Sequence, residues 1–189
     1  MRKIAILFPG IRYSVECPLL YFGGKLMKKL GYEVVGLNYD VKDTKLDPEK
    51  FFDKAKKQIE KKIKKLDLQP DDQVVFVEKS VGTVLGLWVE RKISAKVYHV
   101  VLTPVRATMS YLTEETNVCY MVMGSEDEFL KPEKMKEACD KYHIQGEILE
   151  GLGHRLEDRN DPVRSLEILS HILQNMEQGV CEATSGTGC

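Results

Sequence analysis

Apolar residues fall along this chain in two alternating patterns: short unbroken runs, and stretches where they recur every three or four positions. The runs at Lys3–Phe8, Glu33–Tyr39, Gln73–Val77, Lys96–Leu102, Val118–Met123 and Glu147–Leu149 read as strands. Most lack the polar alternation of a half-exposed strand, so the sheet they form needs cover on both faces. Helical spacing marks Pro18–Leu30, Pro48–Leu66, Val81–Arg91, Pro132–Tyr142 and Pro162–Met176. In the second of these, Phe52, Ala55, Ile59, Ile63 and Leu66 make one stripe, Asp47 can cap the start and Pro48 suits the first turn. The order β-α-β-α-β-α-β-β-α-β-α predicts an α/β fold: a mostly parallel central sheet of about six strands with helices on both faces.

Composition narrows the class without changing that picture. The 189 residues suit one domain, expected over 1–178, with 179–189 as a flexible C-terminal tail ending in EATSGTGC. A net charge of −1 gives no global attraction for nucleic acid. The lysines of the second helix (Lys54, Lys56, Lys57, Lys61, Lys62, Lys64, Lys65) fall mostly off its apolar stripe and read as a solvated face. No apolar run reaches the roughly 18 residues of a membrane helix, and Pro9-Gly10 cut the opening basic-apolar segment short. Neither a membrane partner nor a signal peptide is expected. Cys17, Cys119, Cys139, Cys181 and Cys189 form no CxxC pair and read as free thiols, which points to a cytoplasmic location.

In open parallel sheets, ligands bind beyond the carboxyl ends of the strands. Those ends carry PGIR (9–12), EKSVG (78–82), GSED (124–127) and GLGH (151–154). A serine, an acid and a histidine therefore appear at three strand ends, which the fold brings to one edge. Ser80 stands where VVFV turns directly into a helix, a turn that pushes the side chain outward and aims the next N–H, of Val81, at the same space. Gly82 lets that helix pass close to the strand. Ser80 as a plain helix cap is the competing reading. Asp127 follows Gly124 in a tight turn, with Glu126 and Glu128 as alternative acids. His154 lies in a glycine-rich loop, whereas His99, His143 and His171 read as structural or solvated.

With these three motifs together, KSVG, GSED and GLGH, the sequence resembles the α/β-hydrolase family over roughly residues 2–178. The resemblance implies Ser80 as nucleophile, Asp127 as the acid and His154 as the base. It matches FPGI to the family's turn after the first central strand, making the Ile11 N–H the second oxyanion donor beside Val81. The family elbow reads Gly-x-Ser-x-Gly, and here the first glycine is Glu78, a carboxylate that could pair with Lys79 or Arg12. Only Pro104–Asn117 separates two strands where such proteins often insert a lid, so a small, lidless member is implied.

The expected activity is that of a serine hydrolase acting on a small ester, thioester or amide through an acyl-enzyme, like a carboxylesterase or thioesterase. No metal or organic cofactor is called for, and the partner is a small acyl substrate; oligomeric state is left open. Tyr13, Met109, Tyr111 and Leu152 are candidate lining residues. The alternative is a weak or inactive hydrolase fold used for binding, motivated by Glu78. A nucleotide-binding fold is disfavoured because neither GxGxxG nor GxxxxGK[ST] follows the first strand.

Overall fold

The computed structural model describes residues 1–39 and 48–184. Six strands, β1 (Lys3–Phe8), β2 (Glu33–Gly36), β3 (Gln73–Lys79), β4 (Val97–Leu102), β5 (Asn117–Gly124) and β6 (Gly146–Leu149), form one sheet in the order β2-β1-β3-β4-β5-β6. Every pairing is parallel. The helices are α1 (Pro18–Lys29), α2 (Pro48–Leu66), α3 (Val81–Glu90), α4 (Pro132–Tyr142) and α5 (Pro162–Thr184).

Alternation along the strands sorts the core into two layers. Ala5, Leu7, Val75, Val77, Val100, Leu102, Tyr120 and Val122 face α1 and α5, against Leu20, Met27, Ile172 and Met176. Ile4, Ile6, Val74 and Phe76 face α2 and α3, and Val101, Met121 and Met123 face α4. Both faces are covered, which is why β3 is buried at every position. The stripe of α2 is turned slightly from expectation. Phe51, Ala55, Ile59 and Ile63 are its buried residues, with Phe52 beside them, and Asp47 lies outside the described residues.

The chain enters the sheet at β1, steps to the β2 edge, then crosses back over β1 through α2 to begin β3. The connections after β1 and β3 thus leave in opposite directions, and a crevice opens between their carboxyl ends. Residues 9–12 and Ser80 flank that crevice.

One expectation needs correction. The last helix does not stop at Met176 but continues to Thr184, with Val180 and Thr184 buried. Gly179 sits where an added Cβ would lie 2.4 Å from the Cys119 carbonyl oxygen, so it marks close helix-to-strand packing rather than a helix end. Residues 179–184 therefore belong to the packed layer and not to a tail; 185–189 lie outside the described residues. Between β4 and β5 the chain forms a short 3-10 turn, Arg106–Ser110.

Candidate active site

Ser80 joins β3 to α3 with φ 58° and ψ −124°, a region that non-glycine residues seldom occupy. Holding a residue there costs on the order of 1–3 kcal/mol, which the surroundings must supply. They do so on three sides. The Ser80 N–H donates to the Leu102 carbonyl at 3.0 Å, and the Ser80 carbonyl accepts from the Thr83 N–H at 3.0 Å and the Thr83 hydroxyl at 2.6 Å. Thr83 is buried and bonded in turn to Thr108 at 2.6 Å. An added Cβ on Gly82 would lie 2.3 Å from the Phe8 carbonyl oxygen, so only glycine lets α3 start this close to β1.

The Ser80 hydroxyl makes no capping bond to its helix. It lies 2.8 Å from Nε2 of His154, whose Nδ1 lies 2.7 Å from Oδ2 of Asp127. The three side chains predicted at separate strand ends are thus one hydrogen-bonded line. Asp127 is the member of its turn that faces inward, while Glu126 and Glu128 are exposed. Its other oxygen, Oδ1, accepts from the Phe129 N–H at 2.9 Å, which fixes the carboxylate plane.

The loops carrying Asp127 and His154 are stitched to each other. Glu126 N–H donates to the Leu152 carbonyl at 2.9 Å, and Gly151 N–H donates to Ser125 Oγ at 2.9 Å. Gly124 makes this crossing feasible, because a Cβ there would sit 1.9 Å from the Leu152 carbonyl oxygen.

On the opposite flank, a Cβ on Gly10 would lie 3.0 Å from Cβ of Ser80, so the turn after β1 rests directly on the serine. Gly10 and Tyr13 close that turn by reciprocal main-chain bonds of 3.0 and 3.4 Å. Among the described residues, no acceptor is recorded for the N–H of Ile11 or of Val81.

Glu78, the departure from the elbow pattern, turns away from the serine. Its side chain is fully buried on the α3 face, against the bare Cα of Gly86, where a Cβ would meet Oε1 at 1.7 Å. It pairs neither with Lys79 nor with Arg12, which is exposed. Its partner is His99, with Oε1 3.0 Å from Nδ1, and His99 Nε2 lies 3.3 Å from Glu90 Oε1. Burial pushes the Glu78 carboxyl up to about 7, partly offset by His99. For His99, burial alone would lower the imidazole; the two carboxylates outweigh it and raise it to about 9.

Lys79 points to the other face, as strand alternation requires. Only 1% exposed, it donates to Thr103 Oγ1 at 2.5 Å and to the His154 main-chain oxygen at 2.8 Å. Sequence reading missed it, although a lysine inside a covered strand is itself a signal. Phe129 was missed too: half exposed, it tilts over the His154 ring with centroids 4.5 Å apart. The expected lining residues fall out differently. Tyr13 and Leu152 are core, and Met109 and Tyr111 pack against the α4 layer. The remaining histidines are as expected, with His143 at the end of α4 and His171 paired to Glu147 at 2.6 Å.

A groove of about 320 Å³ runs beside the site between Tyr13, Leu19, the Arg155–Asn160 loop and the start of α5. It does not include Ser80. Among the described residues, no three His, Cys, Asp or Glu side chains gather as a metal site, and no disulfide joins Cys17, Cys119, Cys139 or Cys181.

No protein-family model matches the chain, and no curated protein matches its sequence. Solved structures do match its fold. A protein of unknown function from Agrobacterium tumefaciens, described as an alpha/beta hydrolase, superimposes with TM-score 0.72 at 14% identity, over 98% of this chain and 87% of its own. An alpha-beta serine hydrolase homologue from Coxiella burnetii gives TM-score 0.65 at 14% identity, over 93% and 85%. A serine hydrolase without a lid from Xanthomonas campestris gives TM-score 0.65 at 12% identity, over 96% and 80%. At such identities the likeness is one of architecture, and it agrees with the parallel sheet, the strand-to-helix elbow and the short β4–β5 connection: this chain has the α/β-hydrolase fold.

Proposed function

We propose that the protein is a serine hydrolase in which Ser80 attacks a carbonyl carbon, His154 takes the serine proton through Nε2, and Asp127 holds the imidazole tautomer through Nδ1. The observation that carries this reading is the continuous line from Ser80 Oγ to His154 at 2.8 Å and on to Asp127 at 2.7 Å, with the serine held in a strained elbow. Attack forms a C–O bond to Ser80 and moves the carbonyl electron pair onto oxygen, to which the Ile11 and Val81 N–H groups donate hydrogen bonds. Loss of one such donor typically costs on the order of 10²–10³ in turnover. The proton on His154 then passes to the departing alcohol, thiol or amine, and water repeats the sequence to release the acid.

The substrate class follows from the enclosure. With only a 3-10 turn between β4 and β5, little covers Ser80, and the nearby groove passes to one side. Small esters, thioesters or amides presented from solvent fit this arrangement, with exposed Ile11 and Phe129 as apolar walls. Glu78, turned to the far side of the sheet and bonded to His99, keeps its carboxylate away from Ser80, which supports the catalytic reading over an inactive binding protein.

The test is covalent. Wild-type protein should be labelled stoichiometrically at Ser80 by a fluorophosphonate and should hydrolyse p-nitrophenyl acetate. Ser80→Ala should do neither, and retention of both activities would sink the assignment.

A further inference from the structure

Lys79 has no task in the reaction above, yet its placement is costly. An ammonium inside a covered parallel strand gives up its water and must find other partners. Lys79 finds three: Thr103 Oγ1 at 2.5 Å, the His154 carbonyl at 2.8 Å, and the Tyr13 ring face with its centroid 4.9 Å away. Those match the three N–H bonds of an ammonium.

The partners are themselves held. Thr103 is fully buried with φ 45°, a conformation that a β-branched residue rarely tolerates, and its N–H donates to the Val122 carbonyl at 2.7 Å. Thr103 thus sits strained at the end of β4, as Ser80 does at the end of β3, and Lys79 lies between the two. Tyr13 is buried, with its hydroxyl accepting from the Leu19 N–H at 3.0 Å. His154, by contrast, rides on a glycine-rich loop in which Gly151 has φ 72°. Nothing in that local sequence would keep its ring in line with Ser80.

We propose that Lys79 is a positioning residue: from inside the protein it grips the His154 main chain, with Thr103 as its second anchor, and so holds the imidazole in line with Ser80. The inference rests on Ser80 and His154 acting as nucleophile and base. The charged and titratable groups facing Lys79 are Asp127 beyond β5, Arg155 and Glu157 in the loop after β6, Cys17 before α1 and Tyr13 beyond β1. Burial lowers the ammonium to about 7, with Asp127 working in the opposite direction, so the amine is charged on the acid side of neutrality.

Fluorophosphonate labelling of Ser80, followed as a rate against probe concentration, tests this in wild type, Ser80→Ala, Lys79→Met and Thr103→Val. Methionine keeps most of the stem and none of the donors. Lys79→Met should reach the same final stoichiometry as wild type but about ten- to a hundredfold more slowly at pH 7, as expected for a misplaced base. The loss should fall on the maximal labelling rate, with the probe concentration at half-maximal rate unchanged.

A folded Lys79→Met protein that labels at the wild-type rate overturns the proposal. So does one whose loss falls on the half-saturating probe concentration with the maximal rate unchanged, since that would mark altered probe binding and not a misplaced base. If Lys79→Met does not fold, Thr103→Val decides: several-fold slower labelling supports the anchor, and the wild-type rate refutes it. Undiminished labelling of Ser80→Ala would instead overturn the nucleophile assignment beneath it.

Discussion

Replacing Glu78 by glycine would restore the family's elbow pattern, and it should damage the protein without improving its chemistry. The carboxylate it removes is fully buried and bonded to buried His99 at 3.0 Å. Deleting one partner of a buried, hydrogen-bonded ion pair costs about 3–5 kcal/mol, because the other charge stays behind. Glycine in a strand adds about 0.5–1 kcal/mol through backbone entropy. Glu90, 3.3 Å from the far side of His99 and partly solvated, offsets some of this. The net expectation is a loss of about 3–4 kcal/mol, a large share of the 5–15 kcal/mol typical of a domain. Urea unfolding followed through Trp88, the single tryptophan, would measure it. The double variant Glu78→Gly/His99→Leu should recover at least half of the loss, since it removes the stranded charge. Labelling of Ser80 per folded molecule should stay within about threefold of wild type, because the carboxylate lies across the sheet from Lys79 and its anchors, a spread that surface-distant changes rarely exceed. A glycine variant with a wild-type urea midpoint, or one that labels Ser80 tenfold faster, would refute this account of Glu78.

Two further perturbations probe the same machinery. Asp127→Asn should fold normally and lose on the order of 10⁴ in p-nitrophenyl acetate turnover, because an amide cannot hold the imidazole tautomer that accepts the serine proton; loss of less than tenfold would show that Glu126 or Glu128 can serve instead. The stability advantage of wild type over Glu78→Gly/His99→Leu should shrink as pH rises from about 6.5 to about 9, read as the two urea midpoints at each pH; Lys79, lowered to about 7, pulls the other way in both proteins and cancels in the difference. His99 is the cause: its folded value is raised to about 9, against about 6.5 unfolded, so its contribution is complete below the lower pH and gone above the higher. A difference between the two midpoints that stays constant over this range would exclude His99.

The strands, the elbow and the three-residue line were legible because their signals are local. Apolar runs end in Gly, Pro or Ser, and a parallel sheet then gathers every carboxyl end on one edge without further information. What stayed hidden depends on which residues meet across strands. Glu78 and Lys79 are neighbours in sequence, and an ion pair between them looked available. Alternation forbids it, since consecutive strand residues point to opposite faces, and that much could have been read from the sequence. Their actual partners could not, because the register that brings His99 within reach of Glu78 is set by the pairing of β3 with β4. The Met176 boundary fell short for a related reason: Gly179 lies within α5 against the Cys119 carbonyl, a contact across elements that helical spacing does not show. The elbow therefore carries two buried charges, one on each side of the sheet. The Glu78–His99 pair ties the end of β3 to β4 and α3 on one face, while Lys79 ties it to Thr103 and His154 on the other. Ser80 sits between these two ties in a conformation that neither its sequence nor its helix would choose. Weakening the first should act on folding and weakening the second on rate, and that separation distinguishes a braced elbow from one that is merely well packed.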